Sequence, residues 1–205
     1  MRLTKRRGVI ALVVLALVAA WAGISYATNT PPFKKPRGTI GASELCPSFG
    51  ASQEAADILD RILPYATSYR FPPEEGTPRG LDGRDVDYTT VCRVYGDGRL
   101  LTVRTELTGG VSEEEWRKTV RDIVFSGPAE SFDAGRWAFT TSTRKAAAVY
   151  SACLPGGDAD LSTYIRLTHP APADRLDDLR RLAEIAAEQA HEDARCTVPA
   201  DTPAK

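Results

Sequence analysis

VDYTTVCRVYGDGRLLTVRTEL, residues 86–107, reads as a β-hairpin and sets the fold class. Val86, Tyr88, Thr90, Cys92 and Val94 alternate onto one face, the period-two pattern of a half-buried strand. Gly96-Asp97-Gly98 supplies the turn, because these residues tolerate the backbone angles that tight hairpins need. Leu101, Val103 and Leu107 then line one face of the return strand. Gly109-Gly110 ends it. Ser112-x-x-Glu115 is a capping-box pattern, and the helix it opens carries Trp116, Val120, Ile123 and Val124 before Gly127-Pro128.

Upstream of the hairpin, Cys46-Pro47-Ser48 opens a helical stretch with Ser48 or Ser52 as N-cap. Ala55, Ile58, Leu59, Ile62 and Leu63 give it one apolar face, and Pro64 stops it. Residues 65–85, rich in Pro and Gly, read as a long loop. Asp82, Asp85 and Asp87 at its end lack the order of a calcium loop and read as turn chemistry. Downstream, 136–141, 146–154 and 161–169 read as strands. Val149, Ser151 and Cys153 share a face of the second; Leu161, Thr163, Ile165 and Leu167 share a face of the third. Pro170 and Pro172 precede a long helix over 173–194, with Leu176, Leu179, Leu182, Ala183, Ala186 and Ala190 as its apolar stripe. The order is α-β-β-α-β-β-β-α. Short turns between strands imply antiparallel pairing, so the expectation is an α+β domain over 43–198, a five-stranded, mainly antiparallel sheet covered by helices.

Before this domain lies GVIALVVLALVAAWAGISYA, residues 8–27, without charge, Pro, Asn or Gln. Its helical length of about 30 Å matches a bilayer core, which predicts a transmembrane helix. Arg2, Lys5, Arg6 and Arg7 make residues 1–7 a cytoplasmic basic tail and place the rest outside the cytoplasm. The alternative is a secretory signal cleaved after Ser25-Tyr26-Ala27, giving a secreted protein. Residues 28–42 read as a flexible linker and 199–205 as a disordered tail.

Residues 1–42 hold seven basic residues and no acid, so 43–205 carry 19 basic and 27 acidic residues, a net charge of −8. An acidic domain is a poor nucleic-acid binder. Cys46, Cys92, Cys153 and Cys196 all follow the apolar segment. Their even number in an exported domain reads as two disulfides, and their wide spacing does not suit a CxxC metal or redox motif. Three pairings are possible. The one expected is Cys46–Cys92 with Cys153–Cys196, each clipping a helix to a nearby strand.

A helix-opening Cys46, a hairpin Cys92 beside Tyr95, a strand Cys153 and a long Ala-rich helix leading to Cys196 form a pattern. It resembles the two-disulfide α+β extracytoplasmic domains of actinobacterial lipoproteins and the sensor domains of membrane Ser/Thr kinases. The chain lacks the lipid-accepting Cys of the first and the catalytic domain of the second. The resemblance implies ligand or partner binding outside the cell, with no catalytic residues to carry over.

His169 and His191 have no second His or Cys at ligand spacing and read as surface residues. Hydrolase, zincin, Walker and dinucleotide-binding motifs are missing from the sequence. Glu113, Glu114 and Glu115 suit a helix N-terminus. Trp116 and Trp137 read as core. No catalytic, cofactor or metal residues are assigned, and no cofactor is expected. The function expected is a non-catalytic extracytoplasmic binding or interaction domain. Its partners would be the membrane through residues 8–27 and an extracytoplasmic protein or small ligand. An extracytoplasmic hydrolase is the alternative, favoured by a cleft with a Ser or a carboxylate pair next to His169.

Overall fold

The computed structural model describes residues 2–28, 35–78, 88–124, 128–157 and 159–203. Two compact units divide the chain, Met1–Arg37 and Gly38–Lys205. The acids Asp82, Asp85 and Asp87 lie outside the described residues.

The first unit contains helix α1, Arg2–Ala27. Its C-terminus is closed by Thr28, whose N–H and Oγ1 both donate to the Ile24 carbonyl, at 2.9 and 2.8 Å. The expected transmembrane helix is corrected here. Among the described residues no helix is long and apolar enough to cross a membrane. The first two turns of α1 carry Arg2, Lys5, Arg6 and Arg7.

The second unit is built on a seven-stranded antiparallel sheet, not the five strands expected. Helix α2 (Gln53–Ile62) precedes β1 (Glu75–Pro78), β2 (Tyr88–Tyr95) and β3 (Arg99–Thr108). Helix α3 (Glu113–Val124) leads to β4 (Ala129–Ser131), β5 (Trp137–Thr141), β6 (Ala146–Ala152) and β7 (Asp160–Leu167), and α4 (Leu176–Asp193) follows. The spatial order is β1-β2-β3-β7-β6-β5-β4. The two extra strands are the two edges. β1 falls inside the expected loop because Gly76 and Pro78 weaken any strand pattern. At an edge they fit, since Pro78 need not donate to an outer neighbour. Gly76 is also demanded by its close approach to β2, where a Cβ would stand 1.9 Å from the Thr89 carbonyl oxygen. β4 is three residues long, too short to show a period.

The helices form as their caps dictate. Ser52 Oγ accepts from the Ala55 N–H at 3.1 Å and starts α2; Cys46 instead precedes a separate 3-10 turn, Pro47–Phe49. Ser112 Oγ accepts from the Glu115 N–H at 3.2 Å and starts α3. α4 begins at Leu176, after a turn in which Arg175 N–H donates to the Pro172 carbonyl. Helices α2 and α4 cover one face of the sheet. Their Ile58, Leu59, Leu179 and Leu182 pack on Cys92, Val103, Val149 and Ile165 in the main core. Helix α3 covers part of the opposite face, with Trp116 and Val120 on Phe139, Ala148 and Tyr150. The structure closes two disulfides, Cys46–Cys92 and Cys153–Cys196. The second ties the segment just beyond α4 to the end of β6.

Candidate functional site

Where β6 passes under α4, residues of alternate parity face the helix: Val149 and Ser151 on the strand, Ala187 and His191 above them. Alanine at 187 keeps the helix surface low, and the loop 133–135 before β5 stands off to one side. The result is an open groove of about 370 Å³, lined by Asp133, Gly135, Ser151, Glu184, Glu188 and His191 among others. That size is at the lower end of small-molecule sites.

The far wall is the C-terminal segment, whose residues 199–205 the sequence suggested as a disordered tail. The Ala152 N–H donates to the Ala200 carbonyl at 2.9 Å, and the Thr197 N–H to the Cys153 carbonyl at 2.9 Å. Arg136 fixes it further along, with Nε donating to the Thr202 carbonyl at 2.6 Å. The same guanidinium donates from Nη1 to Asp160 Oδ2 at 2.8 Å, and both side chains are buried. Asp160 also accepts from the Tyr150 hydroxyl at 2.9 Å and the Cys153 N–H at 3.3 Å. Burial pushes the Tyr150 phenol well above its ordinary pKa, so it stays a donor. Its ring stacks on Trp137 at 4.8 Å between centroids. A fully bonded buried ion pair thus joins β5, β6, β7, the second disulfide and the tail.

Within the groove, Ser151 is 2% exposed, and among the described residues its hydroxyl has no hydrogen-bond partner. His191 Nε2 lies 2.9 Å from the Val198 carbonyl oxygen. A carbonyl accepts, so Nε2 carries a proton and is committed to Val198. Arg181 reaches Glu184 at 3.1 Å and Glu188 at 3.3 Å, and grips both oxygens of Glu54 at 2.9 and 3.0 Å. The paired hydrogen bonds from Arg181 hold the Glu54 carboxyl below its usual pKa, and the carboxylates in turn raise that of Arg181. One guanidinium is shared by three carboxylates, so the groove keeps an excess of negative charge.

Gly135 keeps the mouth open. Its φ is +52°, and a Cβ would stand 2.6 Å from the Tyr150 carbonyl oxygen and 3.1 Å from Ser151 Oγ. Gly135→Ala should destabilise the domain by about 1–3 kcal/mol through backbone strain, read from urea unfolding. Unchanged stability would mean the loop relaxes freely.

The sequence read His191 as a surface residue on the polar side of α4; the structure makes it half-buried and part of the groove wall. His169 is exposed beyond β7 and does not line the groove. No hydrogen bond joins Ser151 to His191 among the described residues. No group of three or more His, Cys, Asp or Glu among them could hold a metal ion. Trp116 and Trp137 belong to the cluster under α3. Asp160 and Arg136 were missed by the sequence reading, although an acid between Ala159 and Leu161 at the head of an apolar strand signals a buried charge with a partner. Ser151 was read as a strand residue; that it floors a groove follows only from the height of the helix above it. Comparison with protein families, curated proteins and solved structures gives no match.

Proposed function

We propose that this chain is an exported, disulfide-bonded, non-catalytic interaction domain that works through the groove between α4 and β6. The observation that carries the reading is the groove itself, an open, acceptor-rich cleft with the hydroxyl of the nearly buried Ser151 opening onto its floor. The two disulfides support folding on the oxidising side of a membrane. The basic residues before the apolar segment and Ser25-Tyr26-Ala27 at its end support release as a secreted protein by signal cleavage. Ser151 and His191 share the groove without a nucleophile–base hydrogen bond, which favours binding over acyl transfer. The resemblance to extracytoplasmic lipoprotein and kinase sensor domains leads the same way.

The test is a photo-crosslinking residue placed at position 188, in the groove, and separately at position 166, exposed on the other face of the sheet. In intact cells, position 188 should give a discrete adduct, by mass a protein or a small molecule, and position 166 should not. Adducts from position 166 alone, or equal labelling from both, would overturn the groove as the contact surface.

A further inference from the structure

We propose that the groove binds a small organic cation, a primary ammonium or guanidinium on a short aliphatic stem. The proposal rests on the groove being the contact surface, and it adds the chemistry of what is held there.

Every group that the groove offers unpaired is an acceptor or can serve as one. Asp133 has no partner among the described residues, and Ser151 Oγ has none either. His191 presents only Nδ1 to the groove, because Nε2 is committed to the Val198 carbonyl. Glu184 and Glu188 each accept from Arg181, but that guanidinium divides itself among three carboxylates. A carboxylate or phosphate ligand would meet like charge without an open cation to offset it. A donor-rich cation would satisfy several acceptors at once, and charge-assisted hydrogen bonds are the strong ones.

The floor explains the stem. Val149, Ala134 and Ala187 are apolar lining beside the polar groups. Methylenes can lie along that surface while the charged head reaches the rim, as the stems of Lys and Arg do on protein surfaces. Ser151 is the informative residue. Its hydroxyl makes no hydrogen bond within the described residues and is open to the cleft it lines, beside the residue held to glycine by its own backbone, so it is available to a donor there.

The experiment is a titration of the isotopically labelled, oxidised full-length chain, followed by amide chemical shifts. Butylammonium and agmatine are compared with butanol and butyrate, which match the stem but not the charge. The two cations should give saturable shifts at residues 133–135, 151 and 184–191 in the millimolar range or below, and butanol and butyrate should not. Glu184→Gln with Glu188→Gln should weaken the cations roughly tenfold, and Ser151→Ala roughly threefold, about the loss of charged and neutral hydrogen bonds. Asp133→Asn, on an exposed loop, should weaken them too and does not depend on repacking. An acetylated, amidated Lys peptide separates the sources of the cation. Tighter binding than butylammonium assigns a protein side chain, and weaker binding a free amine. Binding of butyrate or butanol as strong as that of butylammonium would overturn the cation while leaving the groove as a binding surface. No shift from any of the four overturns the cation. Only failure of the position-188 crosslink as well removes the groove reading.

Discussion

Arg136→Met should lower the stability of the domain by about 3–5 kcal/mol, the usual consequence of stranding one member of a buried ion pair. Asp160 is fully buried and receives three donors, of which Arg136 carries the compensating charge. Methionine fills much of the same space and removes the charge, leaving the carboxylate with the Tyr150 hydroxyl and the Cys153 N–H. The Nε contact to Thr202 is lost with it, and so is the guanidinium over the Trp137 and Tyr150 rings. Pairing Arg136→Met with Asp160→Leu removes both charges and should recover part of the loss, since well-packed apolar replacements of buried pairs cost little. Urea unfolding of the wild type, the single variant and the double variant gives the comparison. A single-variant loss under about 1 kcal/mol would mean that the pair is open to water.

Cys153→Ser with Cys196→Ser should cost about 4 kcal/mol, the chain-entropy value for a loop of this length. The cysteines are 43 residues apart; Cys46 and Cys92 are 46 apart, so their replacement should cost nearly the same. Against a typical stability of about 5–15 kcal/mol, either loss is a large fraction. The two variants should differ in where they loosen the fold. Cys196 anchors the segment that runs through Ala200 to Thr202 and forms one groove wall. Its loss should raise amide exchange at Ala152 and Thr197, whose N–H groups bond across that junction. Loss of Cys46–Cys92 should leave those amides protected as long as the domain is folded. Equal exchange in the two variants would show that the wall is held by its hydrogen bonds and not by the Cys153–Cys196 bridge.

The hairpin was legible because its chemistry is local. Alternation from Tyr88 to Val94 and the Gly96-Asp97-Gly98 turn give β2 and β3, which pair Thr89 with Glu106 through to Val94 with Leu101. Ser52 and Ser112 marked their helix starts through hydrogen bonds that span three residues. What the sequence hid depends on distant neighbours. β1 is a strand because β2 lies beside it, in spite of Gly76 and Pro78. β4 takes its pairing from β5 over only three residues. The apolar run at 8–27 illustrates the opposite error, in which composition alone predicted a membrane span that the described helix does not supply. The site was hidden for a further reason. Arg136 and Asp160 are 24 residues apart, and Ser151 and His191 line one groove only because β6 passes beneath α4.

Both disulfides belong to the folded domain, and the proposed function places that domain outside the cytoplasm. The direct measurement is thiol accessibility in whole cells. Intact cells are treated with protease or left untreated, then denatured without reductant in the presence of a maleimide-linked polymer. The account predicts that the domain is cut from outside and that no cysteine takes up the polymer. Protection from protease, with polymer on all four cysteines, would contradict it.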